Sequence, residues 1–240
     1  EPNTVVIADS TRALTRGAFR YVDLGDRKLK GISESMRVWQ VAGNVAVSRF
    51  EAAYVAGLSG FVGREPEVAL LNSRWEQALG GEGQAVLLCG EAGIGKSRIA
   101  EQLRQRLAGV DHTRIRYQCS PFHVNSALQP VISQLEYAAD LNADDDGSVR
   151  LAKLESLLAP TTRNIDEVVP LLATLLGIPL GSHYVMPNVT SDVLKRRTLE
   201  ALAGQLAALA RIKPVHWLVE DAHWIDPTTR ELVGLCLDRV

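Results

Sequence analysis

Gly90-Glu91-Ala92-Gly93-Ile94-Gly95-Lys96-Ser97 is the stretch on which the reading of this chain turns. It satisfies G-x-x-x-x-G-K-[ST] at every fixed position, and its flanks matter as much as the match. Ala85 to Cys89 is a short unbroken apolar run, which predicts a strand buried on both faces of a parallel sheet. Lys96 to Leu107 carries Ile99, Leu103 and Leu107 at helical spacing with Gly109 just beyond, which predicts a helix. Glycines let a backbone take φ > 0 and approach a ligand closely. Successive N–H groups then point inward as a nest at the positive end of the following helix, a setting made for phosphate. Lys96 adds a mobile point charge for the β- and γ-phosphates, and Ser97 a hydroxyl for Mg²⁺, which prefers hard oxygen ligands. All of Gly90, Glu91, Ala92, Gly93, Ile94, Gly95, Lys96 and Ser97 are expected at a bound nucleoside triphosphate, and Arg98 either beside it or on the helix surface.

A phosphate loop of this kind works with a carboxylate at the end of a neighbouring strand, to hold Mg²⁺ and orient water. Val215 to Val219 predicts that strand, and Glu220 and Asp221 follow it. Glu220 is assigned to the metal and Asp221 to water activation, with a register shift of one residue left open. Asp226 precedes Pro227 and reads as a helix N-cap with proline at N1. His223 and Trp224 suit packing or a position facing the γ-phosphate equally well. His112, His123, His183 and His216 are isolated and read as core or surface histidines. The expected cofactors are ATP and Mg²⁺.

Outward from these motifs the composition is that of an ordinary soluble globular protein, with 46% apolar and 22% charged residues. A net charge of -2 and a pI near 6.3 give no electrostatic case for nucleic-acid binding. Val168 to Ser191 lacks Asp, Glu, Lys and Arg, but Pro170, Gly177, Pro179, Gly181 and Pro187 interrupt it, so no membrane span is expected. Cys89, Cys119 and Cys236 are far apart and read as buried thiols of a reducing cytosol. The chain opens on Glu1 rather than Met and is read as an excerpt of a longer cytoplasmic polypeptide.

Three regions are expected. Residues 1–42 read as short strands: Thr4 to Ala8, a helical turn from Ser10 to Leu14, Phe19 to Leu24, a turn at Gly25-Asp26, a return from Arg27 to Lys30, and Met36 to Val41. Residues 43–60 read as a linker with a short helix around Arg49 to Val55. Residues 61–240 read as an α/β domain. It has a helix from Glu67 to Leu79, a second strand from Arg114 to Cys119, and a largely helical block from Ser126 to Arg211. That block resolves into Ser126 to Leu141, Ser148 to Leu158, Ile165 to Leu176 and Asp192 to Ala210.

With the motifs placed, the last of these regions resembles the STAND/AAA-like P-loop ATPase modules of large bacterial signalling proteins. The resemblance rests on Phe61-Val62-Gly63-Arg64-Glu65, on the glycine loop, and on Val219-Glu220-Asp221-Ala222-His223-Trp224-Ile225-Asp226-Pro227. It implies that Val62, Gly63 and Arg64 lie beside the adenine. It departs from the family at Glu220, where Asp is more usual, and the longer side chain bears on hydrolysis rather than on binding. It also implies a P-loop NTPase fold with a parallel sheet and a helical insertion, stopping before the strand that carries the γ-phosphate sensor, so an open sheet edge is expected. Residues 1–42 resemble the C-terminal end of a class III adenylate/guanylate cyclase domain, a small α+β remnant. The resembling stretches are Glu1-Pro2-Asn3-Thr4-Val5-Val6-Ile7-Ala8, Tyr21-Val22-Asp23-Leu24-Gly25, Leu29-Lys30-Gly31 and Arg37-Val38-Trp39-Gln40-Val41. That family places a lysine like Lys30 near the substrate triphosphate; a solvated strand-end lysine is the equal alternative. The family's metal aspartates and Asn/Arg pair precede the stretch retained here, so this chain is not expected to make cyclic AMP by itself.

The resemblances together imply an ATP-dependent switch whose partner is the attached cyclase domain, with oligomerisation through regions outside this chain. Two alternatives stand beside it: the ATP-binding module of a large transcriptional activator, and a nucleotide-bound scaffold without turnover.

Overall fold

The computed structural model describes residues 4–15, 19–29, 31, 35–44, 62–142, 144–186 and 188–239. They fall into two units, Glu1–Gly63 and Arg64–Val240. The expected linker lies outside the described residues apart from Gly43 and Asn44, and so do its helix, Lys30 and Phe61.

In the first unit, β1 (Val6–Ala8), α1 (Asp9–Leu14), β2 (Phe19–Arg27) and β3 (Met36–Asn44) follow one another. The strands form an antiparallel sheet in the order β1-β3-β2. The turn expected at Gly25-Asp26 is instead a bulge inside one continuous strand. Gly25 takes φ 73 and donates its N–H to Asp23 Oδ1 at 2.9 Å, while the register with β3 slips between Asp23 and Asp26. The side chain satisfies the amide that the slip releases, so β2 regains its ladder at Asp26 and Arg27 rather than reversing. Trp39 organises one side: its indole N–H donates to Asp9 Oδ1 at 2.8 Å, and the Arg12 guanidinium lies 3.7 Å from its ring centroid. Val38 is the one fully buried side chain among the described residues of this unit.

The second unit runs α2 (Glu65–Leu79), α3 (Lys96–Arg106), β4 (Thr113–Gln118), α4 (Gln129–Ala138), α5 (Gly147–Leu158), α6 (Ile165–Leu175), α7 (Ser191–Ile212), β5 (Val215–Glu220) and α8 (Pro227–Leu237). β4 and β5 pair in parallel, from Thr113 opposite Val215 to Gln118 opposite Glu220. Helices α4 to α7 lie between the two strands in sequence and form the expected helical insertion. Strand periodicity sorts the side chains: Ile115, Tyr117, Trp217 and Val219 pack against the main core, Tyr117 edge-on to Trp217 at 5.3 Å. That core is built from Val131, Leu154, Leu158, Val169, Leu172, Leu199 and Leu232, one apolar face contributed by each of α4 to α8.

Further expectations need correction here. Ala85 to Cys89 is not a buried strand. The run forms no regular element, Leu87 is 82% exposed, and Cys89 is exposed where a buried thiol was expected. A strand needs a ladder partner, and the described parallel strands of this unit, β4 and β5, pair with each other. Helix α4 begins at Gln129 rather than Ser126, because Leu128 stands at φ 60 with its N–H given to Asp226 Oδ1, 98 positions away in sequence. Cys119 and Cys236 are buried as expected. Among the described residues no helix is long and apolar enough to cross a membrane.

Candidate nucleotide site

The glycine loop folds as its sequence requires. Gly90, Gly93 and Gly95 take φ 155, 81 and 104, values that side-chain-bearing residues rarely adopt, and a Cβ at Gly90 would meet Ile94 Cγ2 at 3.1 Å. Gly95 is the N-cap of α3, with no side chain capping the helix and no acidic residue in its first turn. An uncapped helix start, without a local carboxylate, leaves its amides and their partial positive charge for an anion. Lys96 folds back over the loop, donating from Nζ to the carbonyls of Gly90 and Glu91 at 2.8 Å each. These partners are neutral carbonyls, so the ammonium charge is not cancelled by an acid. Ser97 is exposed in the first turn, and Arg98 donates its backbone N–H to Gly95 O at 3.0 Å. Glu91, Ala92 and Ile94 of the same loop are exposed.

The acidic pair sits at the end of β5. Glu220 is the last residue of the strand, one further than expected, and Asp221 follows at φ 52. Neither carboxylate stands alone. Arg116 of β4 reaches Glu220 Oε2 with Nε at 2.6 Å and Nη2 at 2.5 Å. Gln118, two residues along the same face of β4, donates from Nε2 to Asp221 Oδ2 at 2.9 Å, and its Oε1 accepts from Arg116 Nη2. Arg116 and Gln118 were not singled out from sequence. The alternation Arg114, Arg116, Gln118 along a predicted strand was the signal that points to them, because it puts three polar side chains on one face.

Asp226 is the N-cap that its neighbour Pro227 predicts, accepting from Thr228 and Thr229 N–H on Oδ1 at 3.0 and 2.9 Å. Through the bond from Leu128 it also ties the start of α8 to the start of α4. The His223 and Trp224 rings meet at a 48° tilt with centroids 5.0 Å apart, and both remain exposed. The Cys119 thiol, buried and near the charges of Asp226 and Asp221, is pushed up to about 11 and stays protonated at neutral pH.

Helix α2 packs on α3 and also on the sheet, where Trp75 meets His216 of β5 edge-on at 6.3 Å. Burial, followed by the charges of Arg114 and His112, pulls His216 down to about 4. A histidine buried neutral is protonated more readily once unfolded, so its contribution is complete above pH 6.5 and is lost as pH falls toward 4. We expect the unfolding free energy to drop by roughly 3 kcal/mol more over that window in the wild type than in His216→Leu, read from denaturant midpoints.

Of the expected adenine contacts, Val62 is 90% exposed and Gly63 takes φ 78, both in the first unit. Arg64 begins the second unit at φ 65, as N-cap of α2, and pairs with Glu67 at 2.8 Å.

The residues present fit a magnesium nucleotide. The glycine loop offers an uncapped helix start and an unneutralised lysine for phosphate, and Ser97, Glu220 and Asp221 offer hard oxygens of the kind Mg²⁺ takes. Comparison with known proteins agrees. The model of the AAA ATPase domain family matches residues 60–240. An uncharacterized protein of Rhizobium meliloti (strain 1021) is 33% identical over 236 residues, covering 97% of this chain and so both of its units. The chain spans 22% of the length of that relative. No solved structure matches the chain.

Proposed function

The chain belongs to the AAA ATPase domain family, a P-loop nucleotide-binding ATPase fold, and from that premise we propose that its second unit is an ATP- and Mg²⁺-dependent regulatory switch of a cytoplasmic signalling protein. The observation that carries this reading is the glycine loop: three positive-φ glycines, an acid-free helix start, and Lys96 held over the loop by carbonyls alone.

In this reading the loop amides and Lys96 hold the triphosphate, while Arg64, at the start of the same unit, lies against the base. Ser97 and Glu220 would hold Mg²⁺, which supplies charge neutralisation at the β- and γ-phosphates when bound. Asp221 orients the attacking water and accepts its proton. It is suited to that task because its carboxylate is exposed and accepts a hydrogen bond from a neutral amide on Oδ2, which leaves Oδ1 facing solvent for a water.

The first unit is assigned, within the same proposal, to the C-terminal part of a class III nucleotide cyclase domain, the partner that the switch would bias. What supports this is the run of resembling stretches, three of which fall on the strands of one antiparallel sheet. Assay of cyclic AMP formation by the full reading frame tests it, and no product from that longer protein removes it.

A second reading, a nucleotide-bound scaffold without turnover, is favoured by the engagement of both acids with β4. Phosphate release separates the two. For the switch, Asp221→Ala lowers the ATP-dependent release rate by about a hundredfold or more while ATP affinity stays within about threefold. Equal release from wild type and variant, at the level of buffer, leaves the scaffold.

A further inference from the structure

We infer that Arg116 is a positioning residue for the acidic pair, one that clamps Glu220 through a single oxygen and competes with Mg²⁺ for it. The inference rests on the nucleotide reading above and goes beyond it in naming what sets the demand for metal.

The arrangement differs from a surface ion pair. Arg116 and Glu220 side chains are only 10% and 14% exposed, so neither swings freely into water. Two guanidinium nitrogens converge on Oε2 of Glu220, and one of them also holds Gln118 Oε1. Gln118 in turn donates to Asp221. The backbone beneath is fixed as well: the Arg116 N–H, on the edge of β4 away from β5, donates to Gln134 Oε1 of α4 at 3.1 Å. A planar fork restrained at this many points does not retreat as a lysine ammonium does. A metal ion arriving with the triphosphate therefore meets a carboxylate with one oxygen already engaged and a fixed positive charge beside it. Two cations sharing one carboxylate repel, and the repulsion appears as weaker coupling between Mg²⁺ and nucleotide.

The experiment is equilibrium binding of a fluorescent ATP analogue to the full chain, in EDTA and in excess Mg²⁺. In EDTA, Arg116→Gln binds within about twofold of wild type, since the substitution leaves the glycine loop and Lys96 in place and the contacts of Arg116 with Glu220 and Gln118 lie outside the loop. In Mg²⁺ it binds about tenfold more tightly, the factor expected when a unit charge some 6 Å from a divalent ion is removed in a water-like dielectric. Arg116→Lys keeps the charge on a mobile stem and moves the same ratio in the same direction, by about threefold. This variant also preserves a partner for Glu220, so it carries the test where the glutamine variant does not fold. A residue with a merely structural role would lower the melting temperature and leave the EDTA-to-Mg²⁺ ratio alone. An unmoved or reduced ratio in a folded variant overturns the inference. Wild-type protein that binds the analogue in neither condition removes the nucleotide reading itself, and this inference with it.

Discussion

Lys96→Ala is expected to weaken ATP binding by about a hundredfold or more, from the loss of charged hydrogen bonds worth roughly 3 kcal/mol together. The ammonium makes its two hydrogen bonds, to the Gly90 and Glu91 carbonyls, within the glycine loop. It has no acid to leave behind, so its removal creates no buried unpaired charge and costs the fold little. Its bonds to the Gly90 and Glu91 carbonyls also brace the loop, and the loss therefore includes some preorganisation of the amides. The measurement is a binding isotherm for ATP, with circular dichroism to show that helix content is kept. Lys96→Arg recovers little, because a planar fork does not replace a point charge reaching between two phosphates. Micromolar affinity retained in a folded Lys96→Ala protein would contradict the role assigned to the lysine.

The second large effect is on stability. Asp226 is 2% exposed and accepts hydrogen bonds from the N–H groups of Thr228, Thr229 and Leu128 and from the Thr229 hydroxyl. Replacement by Ala strips the N-cap of α8 and leaves the Leu128 amide without its acceptor in a buried position. A lost cap costs about 1 kcal/mol, and each buried donor left unsatisfied about 1–3 kcal/mol more, so a total of roughly 3–5 kcal/mol is expected. For a domain of ordinary stability that is a large share of the whole. Asp226→Asn keeps an oxygen for the amides and should cost only about 1 kcal/mol, which separates geometry from charge. Urea unfolding followed by helix ellipticity measures both variants. A cost for Asp226→Ala below about 1 kcal/mol would mean that the tie between α8 and α4 carries no weight.

Local rules made much of this molecule legible. The glycine loop, the helix after it, the helical block, the strand ending in two acids and the cap at Asp226 all follow from residues within a few positions of one another. The hydrogen bonds of the helices and of the cap close over two to four residues, and the side chains needed to form or end them are neighbours in the chain. Gly25 shows where local signals stop short: glycine beside aspartate permits either a turn or a bulge, and only pairing with β3 selects the bulge.

Tertiary structure decided what no local pattern contains. Arg116 meets Glu220 across 104 positions, Gln118 meets Asp221 across 103, and Leu128 meets Asp226 across 98. The parallel pairing of β4 and β5 brings such pairs together across the four helices that lie between them in sequence. Ala85 to Cys89 makes the same point in reverse. Its apolar residues specify a preference for burial in a sheet, but a strand exists only where another backbone lies alongside to take its hydrogen bonds, and side-chain character alone does not provide one.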